Sequence, residues 1–187
     1  MKNSATDLLK IAEINLLYSL KGIQPEEVNK QAYPEFNTIS WIVGHCAVHF
    51  HSELCQSCQD IRLLSDDVTH YYRYGTTKEE IEQTNSPFTF QEIVDAYLRV
   101  SEQGFTYLEK LETEDFQRVI FPDFGMTLEM SVQRIALHYM GHVGQIVLIR
   151  RALGNPGKSF VGGVVHSERE RMPQKWESWW TESKRTF

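Results

Sequence analysis

The chain has 187 residues, 41% hydrophobic and 24% charged, with a formal net charge of −6. That is the composition of a globular protein large enough to bury a core without disulfide staples. The acidic balance argues against a phosphate-backbone partner, and no run approaches the roughly 18 apolar residues of a membrane span.

The N-terminal stretch MKNSATDLLKIAEINLLYSL lacks a continuous apolar block and a cleavage-like site, so no signal peptide is expected. Three cysteines do not make a disulfide framework, and a reducing, cytoplasmic setting fits them best.

Four long segments carry helical periodicity. The first runs from about residue 5 to 21, with Leu9, Ala12, Leu16 and Leu20 on one stripe, and Gly22 and Pro25 end it. The second begins at Asn37 or Thr38, both good N-caps, and reaches about residue 60. A loop from about 61 to 88 follows, long for a compact domain and expected to be ordered by Tyr71, Tyr72 and Tyr74 packing down. The third helix opens on a capping box, Thr89 with Glu92, and its stripe is Ile93, Tyr97, Val100, Gly104, Leu108 and Leu111. A loop around FPDFG at 121 to 125 leads to the fourth helix, from about Thr127 to Leu153, stopped by Gly154 and Pro156.

Arg150 and Arg151 close that helix, where cations suit the negative end of its dipole. Nothing strand-like recurs except short runs such as SFVGGVV, in the tail from 155. The tail finishes in a Trp-rich segment (Pro173, Trp176, Trp179, Trp180) that reads as a short amphipathic helix docked on the body. The expectation is one all-α domain, a four-helix bundle over about 5–154 with a helical tail over 155–187.

Within LHYMGHVGQI, His138 and His142 stand one turn apart, about 40° apart around the helix axis. The inward stripe reads Ile135, His138, His142, Ile146, Ile149, Leu153, so two rings replace two aliphatics. An unpaired buried imidazole costs about 1 to 3 kcal/mol, so each needs a partner. Either one metal ion satisfies both, or they are packed, hydrogen-bonded core histidines. Gly141 and Gly144 leave room for a neighbouring helix or ligand.

A zincin would need glutamate after the first histidine, where Tyr139 stands, and a di-iron carboxylate bundle needs Glu-x-x-His pairs, which the chain lacks. A third ligand should come from a facing helix, and helix two offers His45, His49 and His51. A helical wheel groups His45 with Ser52 and Gln56 on the more polar side, which suits an open site at a wet seam.

The pair Cys55 and Cys58 lacks the βαβ setting of a thioredoxin-like centre and the second Cys pair of a zinc ribbon, so packing is the better reading for both and for Cys46. A bis-histidine haem would leave one helix-four histidine idle, and no attachment motif appears. His70 and His166 carry no readable role.

The pairing of NTISWIVGH at 37 to 45 with HYMGHVGQI at 138 to 146 resembles the DinB/YfiT-like superfamily. The likeness extends to GIQPEEV at 22 to 28 and RRALG at the end of helix four, and it covers roughly residues 1 to 155. It implies an up-down-down-up bundle, often dimeric, with a divalent metal on His45, His138 and His142. Zinc or nickel comes first for such a set and iron next.

The resemblance further implies a low-molecular-weight thiol such as bacillithiol as cosubstrate, transferred to a small electrophile by a metal-held thiolate. Metal-bound water in a hydrolase is a further reading, and a non-enzymatic stress-induced metal binder or interaction protein stands against both. His49, Glu53 and Gln145 are the other candidates, as proton acceptors or as groups that orient a ligand, against solvated helix faces or bonds within the bundle.

Overall fold

The computed structural model describes residues 3–34, 36–77, 80–81, 86, 88–155, 174, 177–178, 180–182 and 187. The protein is an all-α helical bundle, dominated among these residues by long helices. No helix among them is long and apolar enough to cross a membrane. The fold divides into two compact units, Met1–Ile39 with Glu129–Phe187, and Ser40–Leu128.

In the first unit, helix α1 spans Ser4–Leu20, capped by Asn3, whose side chain accepts from the Ala5 amide at 2.8 Å. Leu9, Ala12, Leu16 and Leu20 are all buried, as the three-to-four spacing predicts. Gly22, at φ +70°, turns the chain in a conformation that disfavours any residue with a side chain. Pro25 then starts the short helix α2, Pro25–Val28.

The last long helix, Leu128–Ala152 (α6 in chain order, after α3 to α5 of the other unit), ends on Gly154 at φ +90°. There the Gly154 and Asn155 amides donate to the Arg151 and Arg150 carbonyls at 3.0 and 2.9 Å.

One expectation for α6 needs correction. Its buried stripe is Val132, Ile135, Tyr139, Val143, Ile146 and Ile149, and His138 and His142 lie at its half-buried edge rather than within it. Tyr139 and Val143, one position on, fill the places assigned to the two histidines. Arg150 lies in the last turn, as expected, and is 5% exposed. It donates to Glu27 Oε1 at 2.9 Å and to the carbonyls of Ser19, Lys21 and Gly22 at 2.7, 3.1 and 3.1 Å. One guanidinium thus satisfies the Ser19 carbonyl in the last turn of α1 and two carbonyls of the turn that follows it. Trp180 of the tail is buried, its ring 5.2 Å from that of Phe187. The strand-like run, Pro173, Trp176 and Trp179 lie outside the described residues.

In the second unit, helix α3 spans Ile39–Phe50 and continues without a break into a π-helical turn, His51–Gln56, and one α-turn, Ser57–Gln59. The extent matches the sequence expectation; the phase does not. A π turn bonds i to i+5 and so inserts a residue, which rotates everything beyond it relative to an α wheel. Side chains of this stretch take carbonyls five residues back: Ser57 to Ser52 and Gln59 to Leu54 at 2.7 Å each, and Cys58 to Glu53 at 3.1 Å.

The segment 61–88 is not simply a loop, because Asp66–Tyr72 forms helix α4. Its signal is Ser65, which accepts from the Val68 amide at 3.4 Å, followed by two aspartates at the positive end of the helix dipole. Tyr72 packs down at 1% exposure and Tyr71 is half-buried, but Tyr74 is 91% exposed.

Helix α5, Phe90–Leu108, opens on the expected capping box: Glu92 accepts from the Thr89 amide at 2.7 Å, and Thr89 accepts from the Glu92 amide at 3.3 Å. Its stripe from Ile93 to Leu108 is buried; Leu111 lies past the helix end. Gly104 lets the ring of Phe50 approach so closely that an added Cβ would stand 2.1 Å from it. Around FPDFG the chain forms a small antiparallel hairpin, β1 Val119–Phe121 with β2 Met126–Thr127, and a 3₁₀ turn over Pro122–Phe124. Gly125 at φ +58° closes the turn.

Candidate metal centre

His45 is 5% exposed, two turns into α3. The expectation that it faces a wet seam with Ser52 and Gln56 fails, because both lie within the π turn, off the α wheel that His45 follows. Its Nδ1 donates to the carbonyl of Tyr72 at 2.7 Å. With the proton committed there, the lone pair of the neutral ring sits on Nε2. One turn earlier, the Trp41 ring stacks on the imidazole, 4.8 Å between centroids and 10° from parallel. Trp41 Nε1 in turn donates to the Tyr71 carbonyl at 3.3 Å.

Helix α6 presents His138 and His142 with rings at 89° and Nε2 atoms 3.0 Å apart. His142 Nδ1 donates to Gln145 Oε1 at 2.7 Å, which again leaves the lone pair on Nε2. Gln145 is therefore a ring-orienting neighbour of His142. Gly141 and Gly144 are exposed, and no described atom lies within 4 Å of a Cβ built on either, so the close approach expected at these glycines is absent among the described residues.

His45, His138 and His142 make a group of the kind that could hold a metal ion. Two imidazole nitrogens bound at about 2.0–2.1 Å to one zinc stand roughly 2.9 to 3.4 Å apart, depending on the angle at the ion. The 3.0 Å pair on α6 already has that spacing. The donor chemistry fits as well. Two of the rings carry their protons on Nδ1, held by a carbonyl or an amide oxygen, the arrangement that fixes a metal-binding imidazole tautomer. The three-histidine group can accept a transition-metal ion.

The remaining candidates sort differently. His49 Nε2 meets Glu53 Oε1 at 2.9 Å, with Glu53 at 3% exposure and His49 half-buried, so neither is on a solvated face. The His45 and His49 rings are 6.4 Å apart. His51 is buried and turned to other work: its Nε2 accepts from the Leu63 amide at 3.0 Å, tying the chain after α3 back to the helix. Burial lowers its pKa, with Arg62 acting in the same direction and the Ile61 carbonyl opposing. Burial also holds the cysteines protonated: the Cys55 thiol is pushed up to about 12, and Cys46 and Cys58 rise too. Protonated thiols are poor nucleophiles, so these are packing residues.

The groups that hold His45 were not assigned from sequence. Trp41 and Gly44 stand in the quoted motif without a role, and the Tyr72 acceptor is a backbone atom, which no residue pattern announces. Gly44 was legible as a small residue beside a ligand, but what it admits is the Tyr72 ring.

A profile of the DinB superfamily matches residues 8–146. No curated protein and no solved structure is detectably similar to the chain.

Proposed function

The chain belongs to the DinB superfamily, and on that premise we propose that it is a metal-dependent enzyme transferring a small thiol to a small electrophile. The observation that carries this reading is the gathered set of three imidazole nitrogens, two of them already in the ligand tautomer. A zinc or nickel ion held by Nε2 of His45, His138 and His142 would supply an acidic, open position where a thiol ionises near neutral pH.

The chain's own residues then have definable tasks. His45 anchors the centre from a buried, stacked position, and Gln145 orients His142. Glu53 Oε1 meets His49 Nε2 at 2.9 Å and holds that ring in place one turn beyond His45. The S–H bond breaks with its proton passing to solvent water. The sulfur electron pair forms a bond to the electrophilic carbon, whose leaving group departs with its own pair.

The test has two parts. Elemental analysis of purified protein should find about one transition metal per chain, lost in His138→Ala. Turnover of a model electrophile should require the metal and a thiol of the bacillithiol type, in preference to glutathione or cysteine. Metal binding with no thiol-dependent turnover would leave a non-enzymatic metal binder, and turnover of an ester with water alone would leave a hydrolase.

A further inference from the structure

Helix α4 ends at Tyr72, and its last four carbonyls have no partner within the helix. Three of these have identified partners. Thr76 Oγ1 donates to the His70 carbonyl at 3.0 Å, Trp41 Nε1 to Tyr71 at 3.3 Å and His45 Nδ1 to Tyr72 at 2.7 Å. Two of the three donors thus come from one turn of α3, the turn that carries the metal ligand. The shortest bond goes to the ligand itself.

The Tyr72 carbonyl is not free to drift. Its ring lies over the bare Cα of Gly44, where an added Cβ would stand 2.4 Å from the ring carbon Cδ1. The residue is 1% exposed, and its hydroxyl is 2.7 Å from Ser86 Oγ, which donates to the Phe88 carbonyl at 2.6 Å. The tyrosine is therefore fixed by its ring, its hydroxyl and its carbonyl. On the other face, Trp41 stacks within 10° of parallel and stops the imidazole from turning.

We propose that Tyr72, seated by the absent side chain of Gly44 and assisted by Trp41, is the positioning residue of the centre. It locks His45 in the Nδ1–H tautomer and aims Nε2 at the metal. This rests on the metal reading above. Its chemical content is that a ring free to choose its tautomer presents a lone pair on Nε2 only part of the time. A ring held by a carbonyl does so always, and its Nε2 is the more basic for it.

Nitrogen-15 NMR of the metal-free protein at neutral pH reads the tautomer directly, and zinc titration reads its consequence. In the unmodified chain His45 should be wholly Nδ1–H, with that proton protected from exchange. Gly44→Ala should give mixed tautomers and zinc binding weaker by about ten- to a hundredfold. Tyr72→Phe keeps ring and carbonyl, and should hold the tautomer and stay within about threefold of the parent affinity. Should Gly44→Ala fail to fold, Trp41→Leu at a half-buried position serves instead, with about tenfold weaker zinc expected at unchanged helicity. Tight zinc binding by a parent protein whose His45 is Nε2–H, or a folded Gly44→Ala with parent affinity and tautomer, overturns the inference alone. A parent protein that binds no zinc overturns the metal reading and this inference with it.

Discussion

The two sides of the histidine set are built in opposite ways. His45 is buried, sandwiched by an indole and bonded to a backbone carbonyl. His138 and His142 are half-buried, bonded to each other and, through His142, to the side chain of an exposed glutamine. A ligand fixed by backbone and packing is an anchor that cannot be removed without disturbing its unit. Ligands fixed by exposed side chains can adjust around an ion and leave a reactant room to approach. In the proposed centre, precision and access would reside on different helices.

Deleting a ligand from either side gives the largest effect and breaks the comparison most plainly. His45→Ala and His138→Ala should both bring metal content from about one per chain to near zero. Only His45→Ala should also lower stability, by about 1–3 kcal/mol, since it orphans the buried Tyr72 carbonyl. Paired elemental analysis and urea unfolding check this, and equal stability loss in both variants would erase the asymmetry. Glu53→Gln comes next. With metal content unchanged it should lower thiol turnover about tenfold, because His49 loses its carboxylate partner. Gln145→Ala follows: zinc binding weaker by about tenfold, with no change in urea midpoint, sharpening the contrast with the anchored side.

The smallest effect concerns acid. Burial lowers the His51 pKa below the roughly 6.5 of an unfolded histidine, so over that interval the unfolded chain binds a proton that the folded chain refuses. Stability should therefore be full above about pH 6.5 and fall as pH drops through it, until the folded pKa is passed. His51→Gln, which can still accept from the Leu63 amide, should flatten that decline in urea melts run from pH 7.5 to 5. Metal retention falls in the same range for a separate reason, since the ligands must be neutral, and the metal-free protein separates the two.

Much of this was readable from the chain. The long helices declared themselves by apolar spacing, and the Thr89–Glu92 cap by residue types at fixed offsets. The candidate trio His45, His138 and His142 came from a motif resemblance, since i,i+4 histidines alone left a core reading open. The rest was hidden for physical reasons. The π turn over His51–Gln56 has no residue signature and silently rotated the wheel on which His45 was judged. Helix α4 and the hairpin at 119–127 are too short for periodicity to show. The stripe on α6 was read one position off, because His138 and Tyr139 both fall near its border and only packing decides which turns inward.

X-ray absorption on zinc-loaded protein, combined with an anomalous map at the zinc edge, tests the account most directly. It predicts one ion per chain with three imidazole ligands, bound through Nε2 of His45, His138 and His142, and a further position open to solvent or thiol. An ion seated elsewhere, or bound without His45, would contradict it.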